Sequence, residues 1–487
     1  MCINKSKPDY RSVILLSFLY FLALLVFSCY TSPLYPNYFG YDSAIFSLVG
    51  KGIKEGAALY TELFDHKGPL IFFINAIGHC LGGRFGIFLM QCVSGLVSLV
   101  FMYRIAWLMR PEGSKRWDDF LCFFCAYSVF FYTFQRGNLT EEYSMPFISA
   151  ALYYMIEYAT NIEDSVSHPP MYAFAYGICF AALAFFRLNN AVSIAAGVLI
   201  IILFLLYKKE YGNILLNIFC GLAGVLVVAI PIVVYFYLSD SLERMVYATF
   251  LHNFKIAGNT GRSSFMEDPL RFTILYLPFV ICIILGAMEF WASRRLKFMD
   301  VLLHTICGFN LISLCIANRF PHYFAVFTPV YLVYLLRYLR FSKHSLKCLA
   351  VAGCCVINLA LAGGYSLSSI NDVYIDKSSA IRHEVLSADF SRIPETERAS
   401  VIGYNISASD YLSGDIIPCY KYYTLQEHWS ITNPTILDDF IDWLSTSEPL
   451  WILVTPHEDN ARVREIIRAK YELKYENDYL IFYRLKE

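Results

Sequence analysis

Three ionisable residues, Asp65, His66 and Lys67, stand side by side in the stretch LFDHKGPL, directly ahead of a proline and an apolar run over 70–77. A carboxylate can exchange a proton, an imidazole can pass one on, and a lysine ammonium is a compact charge that holds anions. Asp42, Glu141 and Glu142 add further carboxylates, while Arg187, Arg262 and Arg319 add planar guanidinium forks suited to phosphate oxygens. His322 and Tyr323 adjoin each other in NRFPHYF. A charge at a bilayer centre costs about 2.5–3.5 kcal/mol on insertion scales, so in an apolar chain such groups lie at the interface or are kept for function. His66 and His322 lack the companions of a closed metal site, and the outer loops carry no D-x-D, so no metal is expected.

The elements that must position these residues are membrane helices. The chain has 487 residues, 57% hydrophobic and only 16% charged. Runs over 12–27, 87–100, 191–206 and 214–238 approach or exceed the ~20 apolar residues that cross a bilayer. The fold class is therefore a polytopic α-helical membrane protein of about 11–13 transmembrane helices. Positive clusters at Lys5–Arg11, Arg104–Arg116, Lys208–Lys209, Arg294–Lys297 and Arg337–Lys347 mark the cytoplasmic side. Fitting spans between them gives crossings at 12–31, 84–109, 118–136, 143–160, 171–188, 191–207, 212–238, 271–292, 299–317, 323–341 and 348–366. Residues 68–82 are apolar but short, and read as a shallow or re-entrant segment. The first apolar run reads as a retained span. The odd number of crossings puts the C-terminal tail outside, and Asp42, Asp65, His66, Lys67, Arg136, Glu141, Glu142, Arg187, Arg262, Arg319 and His322 then gather on that outer face.

The tail differs in composition. From residue 371 onward there are 20 acidic and 12 basic side chains, against 20 acidic and 27 basic before it. This divides the chain into a transmembrane domain, 1–370, whose first outer loop is 32–67, and a soluble extracytoplasmic α/β domain, 371–487. ASVIGYN and LWILVTP read as short strands, TILDDFIDWLS and NARVREIIRAKY as amphipathic helices, and LKYEND–YLIFYRL as a terminal hairpin. The stretch 378–397 reads as a polar linker. Most of the 15 cysteines sit in apolar runs, and the tail holds only Cys419, which excludes a disulfide within it. No basic stripe or reader motif points to nucleic acid.

Each candidate also has a plain structural reading. Asp42 opens an amphipathic stretch, and a carboxylate there gains about 0.3–1 kcal/mol from the helix dipole. Glu141 and Glu142 follow GNLT, an acidic helix start; being adjacent, they do not share a helical face. Arg187 and Arg319 at span ends can snorkel to headgroups.

Taken together, the first outer loop, NYFGYDSAIFSLVGKGIKEGAALYTELFDHKGPL, resembles the first periplasmic loop of the GT-C glycosyltransferases. The likeness is to the bacterial branch related to protein O-mannosyltransferases and lipid A aminoarabinose transferases. Lys67-Gly68-Pro69 stands where many members carry K-P-P. RGNLTEEYSMP resembles that group's second acidic site, FFRLNNA its Arg-Asn element, and NRFPHYFAVFTPVY its late R…HY…P segment; in order they cover roughly 12–366. The resemblance implies a multi-pass enzyme of the bacterial inner membrane that moves a sugar from a polyprenyl-phosphate donor, with inversion, to an envelope acceptor. That acceptor would be lipid A or lipopolysaccharide, a lipid-linked glycan, or a protein. It implies Asp42 as the base, with Glu141 and Glu142 as runners-up, and Lys67, Arg187, Arg262 and Arg319 on the donor phosphate. Asp65, His66, His322 and Tyr323 are further site candidates. Some members use a divalent cation and others do not; none is favoured here. The rival classes are an O-antigen polymerase or ligase and a lipid-linked sugar flippase. A transporter often shows internal repeats and midplane charges, and neither is seen in this chain.

Overall fold

The computed structural model describes residues 10–110, 116–253, 297–316, 320–339, 345–457 and 460–487, plus isolated positions between 284 and 291. Arg262, Arg319 and nearly all of the expected crossing over 271–292 lie outside the described residues. The chain forms two compact units, and neither is continuous in sequence.

The first unit comprises residues 1–28, 90–235 and 262–367. Its helices are α1 (Tyr10–Phe27), most of α4 (Arg84–Leu108), α5 (Arg116–Thr133), α6 (Thr140–Thr160), α7 (Pro170–Arg187), α8 (Val192–Tyr207) and α9 (Tyr211–Leu238). Helical segments Phe298–Ile316, Thr328–Tyr334 and Ser345–Ile370 follow. Among the described residues three stretches are long and apolar enough to span a bilayer: α4, α7 through α8, and α9. At 1.5 Å per residue the 28 residues of α9 reach about 42 Å, beyond the ~30 Å hydrocarbon layer. Its Leu215, Phe219, Leu222, Leu226 and Ile230 face outward and exposed, a surface made for lipid rather than water. Between α7 and α8 the backbone leaves the helix at Arg187 and makes a single tight turn over Leu188–Ala191.

The second unit comprises residues 29–89, 236–261 and 368–487. Here α2 (Tyr41–Lys54) lies on α3 (Pro69–Cys80). Asp42 in the first turn of α2 and Lys51 and Lys54 in the last complement its dipole. Pro69 at the first position of α3 needs no amide partner there. The contact is close: a Cβ on Gly50 would fall 2.6 Å from that of Asn75, so no larger residue fits. The 12 residues of α3 make about 18 Å, too short to cross a bilayer.

The tail contributes a four-stranded sheet in the order β1-β2-β4-β3, with β1 Val401–Tyr404, β2 Trp451–Val454, β3 Tyr471–Glu476 and β4 Ile481–Leu485. β1 and β2 are parallel, which demands a crossover; helices Ala408–Gly414, Gln426–Thr432 and Thr435–Ser447 supply it. β3 and β4 form the expected terminal hairpin, paired Tyr471 to Leu485. The stretch 378–397 is not a linker: Ser378–Ser391 is helical and buries Leu386 and Phe390, one turn apart, under the sheet domain's core.

Candidate active site

The loop ahead of α3 turns its charged residues inward. Asp65 is 3% exposed. Its Oδ1 accepts the Lys67 backbone N–H at 2.8 Å and lies 3.7 Å from His66 Nδ1. The Lys67 ammonium meets His66 Nε2 at 2.9 Å, so that nitrogen is the unprotonated acceptor. The loop is clamped by Tyr60, whose hydroxyl donates to the Lys67 carbonyl at 2.7 Å, and by Asn253, whose amide donates to the His66 carbonyl at 2.8 Å. Tyr60 holds a left-handed backbone, φ 66°, which a tyrosine adopts only when its surroundings fix it. Asp42, in the first turn of α2, is half-buried and makes no hydrogen bond among the described residues.

Burial pushes the Asp65 carboxyl up to about 6, opposed by the Lys67 charge and the Lys67 amide and reinforced by the charge of Asp42. A carboxyl near 3.8 in the unfolded chain has released its proton where the native one still holds it. Stability therefore falls as pH rises through about 4 to 6, and the full loss, roughly 3 kcal/mol, persists above that window. Asp65→Asn is expected to raise the melting temperature at pH 7–8 and to change it little at pH 4. Thermal unfolding of both proteins across that range checks this; an Asn variant less stable at pH 8 would refute it.

The first unit holds a second constellation. Glu141 is 1% exposed; its Oε1 pairs with Arg187 Nη1 at 3.0 Å and its Oε2 accepts from Thr140 at 2.9 Å. The Arg187 guanidinium also lies 3.7 Å over the Tyr323 ring, a cation–π contact. Glu142 points elsewhere. Its Oε2 accepts from Gln91 Nε2 at 2.8 Å and from the Asn138 backbone N–H at 3.0 Å, while Oε1 is buried with no partner among the described residues. Glu142 thus holds the turn into α6 through the Asn138 amide. The chain enters α6 through four consecutive left-handed residues, Gln135, Arg136, Gly137 and Asn138, and Leu139 is left as the N-cap. His322 Nδ1 meets the Gln135 side-chain oxygen at 2.9 Å, and its ring abuts Tyr323 at 4.5 Å.

Arg187 and Tyr323 line a small polar pocket of about 20 Å³ with Asn189, Asn190, Asn310 and Ser313, room for one water. Toward the other end of α7, starting at Phe180, an apolar cavity of about 280 Å³ runs between α7, α8 and α9 and ends at His168 and Asn217. Among the described residues no three His, Cys, Asp or Glu side chains group as a metal set.

Of the sequence candidates, Asp42, Asp65, His66 and Lys67 thus fall in one unit and Glu141, Glu142, Arg187, His322 and Tyr323 in the other, while Arg262 and Arg319 are not described. Gln91, Tyr60, Asn253 and Trp429 were not anticipated. Gln91 alone carried a signal, an amide within an apolar run.

This arrangement of helices and terminal sheet is the GT-C fold. It is similar over 96% of this chain and 97% of the other to ArnT, the lipid A aminoarabinose transferase, from Cupriavidus metallidurans bound to undecaprenyl phosphate (TM-score 0.63, 11% identity). The apo state of that protein matches with TM-score 0.58 and 11% identity, over 97% of this chain and 98% of the other. The oligosaccharyltransferase of Archaeoglobus fulgidus is a more distant likeness, 12% identical with TM-score 0.43 over 96% of this chain and 73% of the other. Residues 5–347 match the family described as "Putative competence-induced protein Ccs4 N-terminal domain", and the chain belongs to that family. No curated protein matches the sequence.

Proposed function

We propose that the protein is an inverting membrane glycosyltransferase that moves a sugar from a polyprenyl-phosphate donor to an envelope acceptor at the outer face of the bacterial inner membrane. The observation that carries this reading is the hydrogen-bonded Asp65–His66–Lys67 cluster at the start of α3, with Asp65 buried and Lys67 half-exposed, and the accessible carboxylate of Asp42 in the same unit. The GT-C fold shared with ArnT, a protein solved with undecaprenyl phosphate, supports it.

In this reading an acceptor hydroxyl attacks the anomeric carbon from the face opposite the phosphate. Its proton passes to the Asp42 carboxylate, which is half-open and unengaged, whereas Asp65 is closed off and serves to hold the Lys67 amide. The bond from the anomeric carbon to the phosphate oxygen breaks, and polyprenyl phosphate leaves with its new charge facing the Lys67 ammonium. Arg187, Arg262 and Arg319 are further cations proposed for that phosphate on chemical type alone. The domains are the membrane part, 1–370, and an outer α/β part, 371–487.

The test is release of free polyprenyl phosphate, followed by mass spectrometry, from purified protein given pooled polyprenyl-phosphate sugars and an envelope extract. Asp42→Asn is expected to abolish release. Consumption of no donor with any acceptor would overturn the transferase reading and leave lipid-sugar transport in its place.

A further inference from the structure

The unit that holds Lys67 also carries a run of aromatic rings for which the reaction above has no use. The Trp429 indole meets the His66 ring at 4.9 Å, edge to face. Phe64, next to Asp65, stands against Tyr422 at 5.3 Å, and Tyr422 against Tyr420 at 5.7 Å. Tyr420 then lies flat on Trp443, centroids 4.2 Å apart and planes 12° apart. Ring by ring the contacts lead from the charged cluster to a half-exposed Tyr420–Trp443 pair.

The run is built in rather than loosely attached. The Phe64 N–H donates to the Lys421 carbonyl at 3.0 Å, which locks the strip 420–422 to the first loop. Gln426 is wholly buried; its amide donates to the carbonyls of Gly403 and Tyr422 and its oxygen accepts the Asn405 N–H, which fixes the helix bearing Trp429. A second link is the Lys51 to Asp415 ion pair at 2.6 Å, between α2 and the tail.

Two features select a ligand. Flat aromatic faces suit the C–H faces of sugar rings; the Tyr420 hydroxyl donates to the Asp439 carbonyl at 3.3 Å, and the exposed Asp439 and Asp442 carboxylates offer acceptors for sugar hydroxyls. The acidic excess from residue 371 onward opposes a polyanion. We propose that Tyr422, Tyr420 and Trp443 form a track for an uncharged glycan chain, along which the acceptor approaches the first loop. The acceptor role rests on the transferase reading; the binding does not.

The full-length protein in lipid nanodiscs, fluorescently labelled, would be applied to an array of bacterial envelope glycans, neutral and phosphate-bearing. Retention on neutral oligosaccharides is expected, reduced about tenfold by Trp443→Ala and largely restored by Trp443→Phe, the size of effect one lost ring contact gives. Unaltered retention of the Ala variant, retention confined to phosphate-bearing glycans, or none at all would each overturn the track. Polyprenyl phosphate release measured on the same preparation separates the two ideas. Donor consumption without glycan retention sinks the track alone, and retention without consumption sinks the transferase alone. A thermal melt of the Ala variant close to that of the parent excludes misfolding as the cause of lost retention.

Discussion

Lys67→Ala is expected to lower release of polyprenyl phosphate by about 10²–10³-fold, the scale of losing one preorganised charge contact in a transition state. The side chain is suited to that task because it is already held. Its ammonium lies 2.9 Å from a His66 nitrogen that must be neutral to accept it, and its backbone is fixed at both ends by Asp65 and Tyr60. Little reorganisation is then needed when charge builds on the leaving phosphate. Lys67→Arg should recover only part of the rate, since a planar fork does not reproduce a point charge. Single-turnover measurements at saturating donor would separate chemistry from binding. An unchanged rate in Lys67→Ala would end the proposed role.

The second large effect is on stability. Arg187→Met leaves Glu141 almost fully buried without its charged partner, and loses the contact with Tyr323. Breaking a buried ion pair from one side costs about 3–5 kcal/mol, whereas replacing both partners by apolar residues of similar volume is often neutral. Arg187→Met should therefore melt well below the parent protein, and the double variant Arg187→Met/Glu141→Leu should return most of the loss. Thermal unfolding in one detergent gives both numbers. A single variant within 1 kcal/mol of the parent would mean the pair behaves as a solvated surface contact.

Much of the C-terminal sheet was legible because its elements are local. Each strand and helix there carries its own period: Val401–Tyr404, Trp451–Val454 and Ala461–Lys470 fall within the quoted motifs, and Thr435–Ser447 runs two residues past its own. Ser378–Ser391 was missed for the opposite reason: its apolar residues Ile381, Val385, Leu386 and Phe390 spread round the helix and give almost no amphipathic signal, and packing under the sheet decides it. In the membrane part the apolar runs located the helices, and the Arg187 break appeared as the expected turn near 189–190. The start of α6 was legible as acidic, but the left-handed run over 135–138 and its tie to Glu142 through the Asn138 amide were not. Among the carboxylates, Asp42 stood out by its place at a helix start, yet the depth of Asp65 emerges only when Tyr60, Asn253 and the tail close over the loop. Trp429 lies more than three hundred residues from His66, and no local pattern foretells their contact.

That separation orders events at the ribosome. The loop segment 29–89 and the tail segment 368–487 belong to one compact unit, with roughly 280 residues synthesised between them. At about 5–20 residues per second the first loop waits on the order of tens of seconds for its partner. During that wait neither Lys51 nor Phe64 has its tail contact, so a nascent or prematurely ended chain displays the charged loop without its clamp. Segment 368–487 thus completes a unit that the first loop opens, and the clamp on the charged loop forms only once the residues between them have been made.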